Sequence, residues 1–407
     1  MDTAKLALHR SGITGLLTCL AVAPALACGD DTGASDAMNG DAAIEPSVEG
    51  TTDGDWPTNG WTESTPAEQG MNADALEGAY DYAYGPEMNT QGVVIIRNGH
   101  IVSERYAPDR DKDSWATSWS MGKTFAATTV AIAIDEGLIE SVDVPLTDYY
   151  PQWLGTNKER IRLEHLLRMA TGLDWVEDYT GAGGSHVSRM AAFERDSLAY
   201  ALTATEPTYA PGTRFNYSSG DSMLMAGILE QATGMSAGEY AKEKLLAPLG
   251  MADAQWWTDA VGNTLTYCCV DTTTRNYAKL GLLYLRGGEW DGQQIIPASW
   301  VEAAVEGGPA WNGYGYQIWL TGQYTSLPDE LFAFIGVDSQ LVYVLPSEDL
   351  IVVRNSIYDK YDGPAIGDPT IDSRLPTGGR GARLGTKAPR GEWDDVAFMQ
   401  PIIDAIE

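Results

Sequence analysis

Strand-like segments lie towards both ends of this chain and helix-like segments fill its middle, an order that few architectures can accommodate. Early on, Val93-Val94-Ile95-Ile96-Arg97 and Ile101-Val102-Ser103-Glu104-Arg105-Tyr106 flank Asn98-Gly99-His100, a hairpin signal. Between about residues 146 and 290 the apolar spacing predicts helices over Leu163–Met169, Ser188–Leu202, Ser222–Ala232, Ala237–Leu246 and Asn276–Leu285. Strands return at Tyr316–Leu320, Ala333–Ile335, Leu341–Leu345 and Leu350–Asn355, and Val396–Ile406 reads as a closing helix. The order implies an α/β (α+β) fold in which one sheet is built from both chain ends, flanked by helices, with an all-helical subdomain inserted. With 407 residues and 44% hydrophobic content, the chain can bury a large core.

Ser120-Met121-Gly122-Lys123 is the only Ser-x-x-Lys in the sequence, and it opens an apolar run from Phe125 to Ile134 that ends at Gly137. On a helix, residues three apart share a face, so the Ser120 hydroxyl can meet the Lys123 amine. A serine hydroxyl is a weak nucleophile until a base takes its proton, and a desolvated lysine can be that base. A rival lies at Gly234-Met235-Ser236-Ala237-Gly238, which fits the Gly-x-Ser-x-Gly nucleophile elbow. That elbow needs a strand before it and a histidine after it. Here a helix precedes it, and His9, His100, His165 and His186 all lie upstream. Ser236 reads instead as the cap of the helix beginning at Ala237, paired with Glu239.

A second motif follows at Pro211-Gly212-Thr213-Arg214-Phe215-Asn216-Tyr217-Ser218-Ser219. Together the two motifs resemble the penicillin-recognising serine hydrolases, a superfamily that includes class C β-lactamases, D-alanyl-D-alanine carboxypeptidases, family VIII carboxylesterases and 6-aminohexanoate-dimer hydrolases. Its second motif is Tyr-x-Asn, matched by Tyr217-Ser218-Ser219 with serine in place of asparagine. Trp61 to Met71 and Leu163 to Leu173 carry further local matches, so the resemblance spans roughly residues 56 to 407. It implies a serine β-lactamase-like fold with an antiparallel sheet and a helical subdomain at about 146–290.

The superfamily's third element is Lys-Thr-Gly or His-x-Gly on a strand facing the nucleophile. The matching segment is Phe334-Ile335-Gly336-Val337. Glycine lets the strand approach the substrate, and the Val337 amide can donate to an oxyanion together with that of Ser120. Phe334 replaces the cation that would grip a substrate carboxylate, which favours neutral acyl groups and leans towards esterases and dimer hydrolases. By the same resemblance, Trp175, Glu177, Asp178 and Tyr179 fall where the helical subdomain lines the cleft, with Ser219 at the substrate. Trp119 walls the acyl pocket or packs inward. His165, set among Leu166, Leu167 and Met169, reads as structural, and Asp111 to Asp113 read as a solvated turn.

The expected reaction is attack by Ser120 on an ester or small amide carbonyl, with Lys123 and Tyr217 removing the proton and Tyr217 returning it to the leaving group. No metal or organic cofactor is implied. The alternatives are a β-lactamase or D-alanyl-D-alanine carboxypeptidase, and a slow-deacylating acyl-binding sensor.

Net charge is −31, which makes nucleic acid and anionic lipid poor partners. Lys5, His9 and Arg10 precede an apolar stretch from Ile13 to Ala27, followed by Cys28. Residues 1–27 resemble a bacterial lipoprotein signal, with Ala25 where leucine is usual and Cys28 as the lipidated residue. An ordinary cleaved signal, with Cys28 incidental, is the alternative. Residues 28–55 read as a disordered acidic tether. A lipid anchor would be the only membrane contact. Cys268 and Cys269 are expected as small buried residues, because a disulfide between neighbours is strained. Residues 358–393 read as an inserted surface loop or lid. Globomycin, which blocks lipoprotein processing, should make a membrane-bound precursor accumulate, and Cys28→Ser should release soluble protein. Unchanged processing in both tests would leave an ordinary exported protein.

Overall fold

The structure, a computed structural model, describes residues 56–179, 184–357 and 393–407. The expected signal, Cys28, the tether and the segment 358–392 lie outside the described residues. Helix α1 (Ala73–Ala83) starts at Asn72, whose side chain accepts from the Asp74 and Ala75 amides. Strands β1 (Thr90–Arg97) and β2 (His100–Tyr106) form the expected hairpin, with Asn98 and Gly99 both at positive φ. Strand β3 (Trp115–Thr117) leads to α2 (Gly122–Asp135), which is buried on all sides from Gly122 to Ala133. That explains its lack of a polar face.

The helical block holds α3 (Leu163–Leu167), α4 (His186–Ala192), α5 (Ser197–Thr203), α6 (Ser219–Thr233) and α7 (Ala237–Ala241). Short strands β4 (Gln255–Trp256) and β5 (Val270–Thr273) precede α8 (Thr274–Leu285). A small hairpin follows, β6 (Glu289–Trp290) with β7 (Gln293–Gln294), and then α9 (Ala298–Ala304). Strands β8 (Phe332–Gly336), β9 (Gln340–Leu345) and β10 (Leu350–Ser356) and helix α10 (Asp395–Asp404) complete the chain.

The main sheet has the order β2-β1-β10-β9-β8, antiparallel throughout and drawn from both chain ends, as the sequence implies. Alternate residues face opposite sides of a strand. Val94, Ile96, Val342, Val344, Ile351 and Val353 join the core around α2 and α8. Val93, Ile95, Leu341, Tyr343 and Val352 join the one formed by α1 and α10. Burial on both faces makes these strands continuous apolar runs.

Three expectations need correction. Residues 316–320 are not a strand: Gln317 takes a φ of 58°, and only isolated bridges link Trp319 to Tyr314 and Ala333. The Gln317 side chain turns inward, donating to the Leu166 and Leu167 carbonyls at 3.0 and 2.9 Å and accepting from Ser222 at 2.8 Å. The helix expected over Ser188–Leu202 breaks after Ala192, because the Asp196 side chain accepts from the Ala199 amide and starts α5 afresh. Cys268 and Cys269 form a disulfide, with Cα atoms 3.7 Å apart. The expectation of separate thiols rested on the strain of a bridge between neighbours; here Cys269 takes a φ of 71°.

Ser236 caps α7 as expected: its Oγ accepts from the Glu239 amide at 3.3 Å, and Glu239 Oε2 accepts from the Ser236 amide at 3.2 Å. Ser236→Ala should therefore cost about 1 kcal/mol in chemical denaturation and leave fluorophosphonate labelling intact. Loss of labelling would make Ser236 the nucleophile.

Candidate active site

Ser120 lies in a 3₁₀ turn, Trp119–Met121, that runs straight into α2. The turn is fastened to the segment before and within β5. The Ser118 amide donates to the Val270 carbonyl at 2.9 Å, and the Cys269 amide to the Trp119 carbonyl at 3.1 Å. Ser118 Oγ accepts from the Val270 amide at 2.8 Å. At Gly122 any Cβ would lie 2.6 Å from the Cys268 carbonyl carbon, so only glycine admits this contact. Trp119 has a φ of 43° and packs edge-on against Trp257.

One turn on, Lys123 is 1% exposed while Ser120 stays half-buried and reachable. Lys123 Nζ lies 3.0 Å from Ser120 Oγ, 3.1 Å from Ser219 Oγ and 2.8 Å from the Tyr267 carbonyl. Ser219 stands at the first turn of α6, where Ser218 caps the helix by accepting from the Asp221 amide at 2.9 Å. Tyr217, just before, brings its hydroxyl near Ser120 and stacks its ring on Trp319 at 5.3 Å. Four sequence candidates therefore meet at one point: Ser120, Lys123, Tyr217 and Ser219.

Strand β8 closes the other side. A Cβ on Gly336 would fall 2.2 Å from the Ser118 carbonyl oxygen and 3.2 Å from the Ser120 amide nitrogen. Val337 opens the turn to β9, in which Asp338 and Ser339 both have positive φ. Fully buried Arg354, on β10, donates to the carbonyls of both, each at 2.9 Å. Arg354 thus holds the turn that carries Val337. Arg214 lies elsewhere, over the Tyr209 ring at 4.3 Å.

The structure corrects the assignment of Phe334 and shows what the other pocket candidates touch. Phe334 is 1% exposed and packs on Tyr284 and Phe332, so its ring fills the core beneath β8 instead of walling a cleft. Asp178 anchors α4, its carbonyl accepting from the Ser185 and Ser188 hydroxyls at 2.5 and 2.8 Å. Trp175 is buried, and its Nε1 donates to Glu177 Oε2 at 2.5 Å. The Tyr179 hydroxyl donates to Glu177 Oε1. Ser219 gives the same carboxylate its amide at 2.9 Å and its hydroxyl at 2.5 Å. Trp175 and Tyr179 therefore both hold Glu177.

Glu177 is the residue whose role sequence reasoning missed. Its signal was the Trp175-x-Glu177-x-Tyr179 spacing, which sets an indole and a phenol donor two residues either side of a carboxylate. His165, by contrast, is structural as expected: Nδ1 accepts from the Arg162 amide at 3.1 Å, and burial lowers its pKa.

Burial pulls the Lys123 ammonium down to about 8, with the Glu177 charge opposing the shift. Burial pushes the Tyr217 phenol far above its usual value, and the Glu177 charge adds to the effect. Asp221, fastened by Thr171 and Ser218 and buried near them, is raised to about 7 by desolvation. Among the described residues no cluster of three or more His, Cys, Asp or Glu is arranged to hold a metal, and no helix is long and apolar enough to cross a membrane.

Comparison with known proteins places this geometry. The family described as Beta-lactamase matches residues 67–370. A 6-aminohexanoate-dimer hydrolase of Paenarthrobacter ureafaciens is 26% identical over 322 residues, covering 74% of this chain and 81% of the relative. The fold is shared with a family VIII carboxylesterase (TM-score 0.55, 19% identity, 79% of this chain and 99% of the other). It is also shared with the octameric penicillin-binding protein homologue of Pyrococcus abyssi (TM-score 0.55, 20% identity, 70% and 74%).

A methyl group at residue 336 must push β8 away from the nucleophile's backbone. Gly336→Ala should lower the rate of fluorophosphonate labelling by about 10²-fold while the protein still melts cooperatively. An unchanged labelling rate would remove β8 from the site.

Proposed function

The chain belongs to the Beta-lactamase family and is a serine hydrolase, and on that premise we propose that it cleaves esters or small linear amides through an acyl-enzyme on Ser120. The observation that carries the reading is the 3.0 Å contact between Ser120 Oγ and a buried amine. As a neutral amine, Lys123 takes the Ser120 proton while Oγ bonds to the substrate carbonyl carbon. The backbone amides of Ser120 and Val337 receive the developing oxyanion. Tyr217 gives its proton to the departing alcohol or amine and regains one from Lys123. Water then attacks the acyl-enzyme and loses its proton to Lys123, which passes a proton to Ser120 Oγ as the acyl bond breaks, releasing the acid and restoring free Ser120 and neutral Lys123.

The opposite directions of the two shifts support this division of labour. Burial favours neutral lysine and neutral phenol alike, so Lys123 suits the base and Tyr217 the acid. The expectation that both share proton removal gives way to separate roles. Preference for a neutral acyl group rests on β8, where Phe334 stands in place of the superfamily's lysine or histidine. Because the Phe334 ring is turned into the core, the preference follows from the missing cation and not from an added apolar wall. The relatives named as a 6-aminohexanoate-dimer hydrolase and a family VIII carboxylesterase are in keeping with amide or ester cleavage.

A turnover panel tests the reading: p-nitrophenyl acetate and butyrate, a linear aminohexanoate dimer, nitrocefin and a D-Ala-D-Ala peptide. Esters or the linear dimer should be hydrolysed far faster than nitrocefin. Since Lys123 must be neutral to act, kcat/KM should rise as pH passes about 8. Lys123→Ala and Tyr217→Phe should each cost about 10²-fold or more in kcat, and together much less than the product. Nitrocefin turnover rivalling the esters would move the reading to a β-lactamase, and full activity in Tyr217→Phe would remove its role.

A further inference from the structure

A neutral lysine amine has two N–H groups and one lone pair. Lys123 Nζ has three oxygen neighbours: the Tyr267 carbonyl, Ser219 Oγ and Ser120 Oγ. The carbonyl can only accept. A serine hydroxyl has a single hydrogen, and that of Ser219 goes to Glu177 Oε1 at 2.5 Å. Towards Lys123, Ser219 is then an acceptor as well. Both N–H groups are taken, and the lone pair is left facing the Ser120 proton. If Ser219 donated to Lys123 instead, that lone pair would be occupied and Ser120 would keep its hydrogen.

We propose that Glu177 is a positioning residue that fixes the direction of the Ser219 hydroxyl and thereby aims the Lys123 lone pair at Ser120. The inference rests on the roles proposed above for Ser120 and Lys123. Glu177 is itself held firmly, by Trp175 Nε1, the Tyr179 hydroxyl and the Ser219 amide. Trp175 stacks on His186 at 5.2 Å and lies against Gly220, where a Cβ would come within 2.5 Å of the indole. The carboxylate cannot swing away without unseating that ring.

The titratable groups around Lys123 come from several elements. Tyr217 precedes α6, with its ring 5.0 Å from Nζ, and Tyr267 precedes β5, with its ring at 5.9 Å. Glu177 supplies the negative charge that acts on Lys123, and Tyr179 and Asp221 face Glu177.

Glu177→Gln tests the proposal directly. The Oε2 side meets two fixed N–H donors, whereas the Oε1 side meets two hydroxyls that can rotate. A glutamine amide nitrogen therefore settles on the hydroxyl side and turns the Ser219 hydrogen towards Lys123. Rates of fluorophosphonate labelling are to be measured across pH in wild type, Glu177→Gln, Ser219→Ala and the double variant, with the labelled peptide identified by mass spectrometry. Glu177→Gln should lower the plateau rate about tenfold or more and move the acid limb to lower pH, because the ammonium loses an opposing charge. Ser219→Ala, which deletes the competing donor, should be less harmful than Glu177→Gln, and adding Glu177→Gln to it should barely change the plateau. Equal losses in both backgrounds, or a lowered melting temperature with an unmoved limb, would overturn the proposal. If Glu177→Gln does not fold, Glu177→Asp decides: the limb should stay while the rate falls, and an unchanged rate would overturn the proposal. A label found away from Ser120 in wild type would instead refute the nucleophile assignment on which this rests.

Discussion

Everything at this site depends on keeping one lysine amine out of water. Lys123 is 1% exposed, and desolvation is what brings its pKa within reach of neutral pH. A cation in that position would be costly without compensation. The compensation consists of three oxygen partners supplied by separate parts of the chain: the nucleophile turn, the start of α6 and the residue before the vicinal cysteines. Helix α2 is buried almost all round because its first turn must carry Lys123 into the interior.

Converging those parts explains the order of elements along the chain. The sheet takes β1 and β2 from one end and β8, β9 and β10 from the other, so its edge strand β8 arrives beside a helix encoded two hundred residues earlier. Buried Arg354 is a structural cation in this arrangement. It donates to Thr90 on β1 and to the carbonyls of Asp338 and Ser339, tying the first strand to the turn at Val337. Its charge is committed to backbone carbonyls and not to substrate.

Legibility from sequence followed the physics of each signal. The hairpin at Asn98-Gly99, the cap at Ser236 and the serine–lysine pair were readable because each is encoded by neighbours within a few residues. Gln317 was not: its φ of 58° is imposed by the Leu166 and Leu167 carbonyls, some 150 residues away. Phe334 was placed on the correct strand and misassigned in function, since the packing of Tyr284 on its face is invisible in the local pattern. The Cys268–Cys269 bridge was discounted for its strain, and the local pattern does not reveal the positive φ that Cys269 adopts. Glu177 was grouped with its neighbours as a cleft residue and given no part in the chemistry, as its partner Ser219 is 42 positions distant.

The substitution of serine for the superfamily's asparagine at residue 219 then acquires a physical reading. An asparagine carbonyl next to a lysine is an acceptor by constitution, and its direction needs no support. A serine hydroxyl is ambivalent: it can accept from the amine or donate to its lone pair, and the second choice silences the base. Such a serine is compatible with catalysis only if another group takes its hydrogen. Here that group is a carboxylate at 2.5 Å, itself fixed by an indole, a phenol and a backbone amide. Serine at residue 219 and glutamate at residue 177 are thus one device in two parts, and neither has a clear purpose at this site without the other.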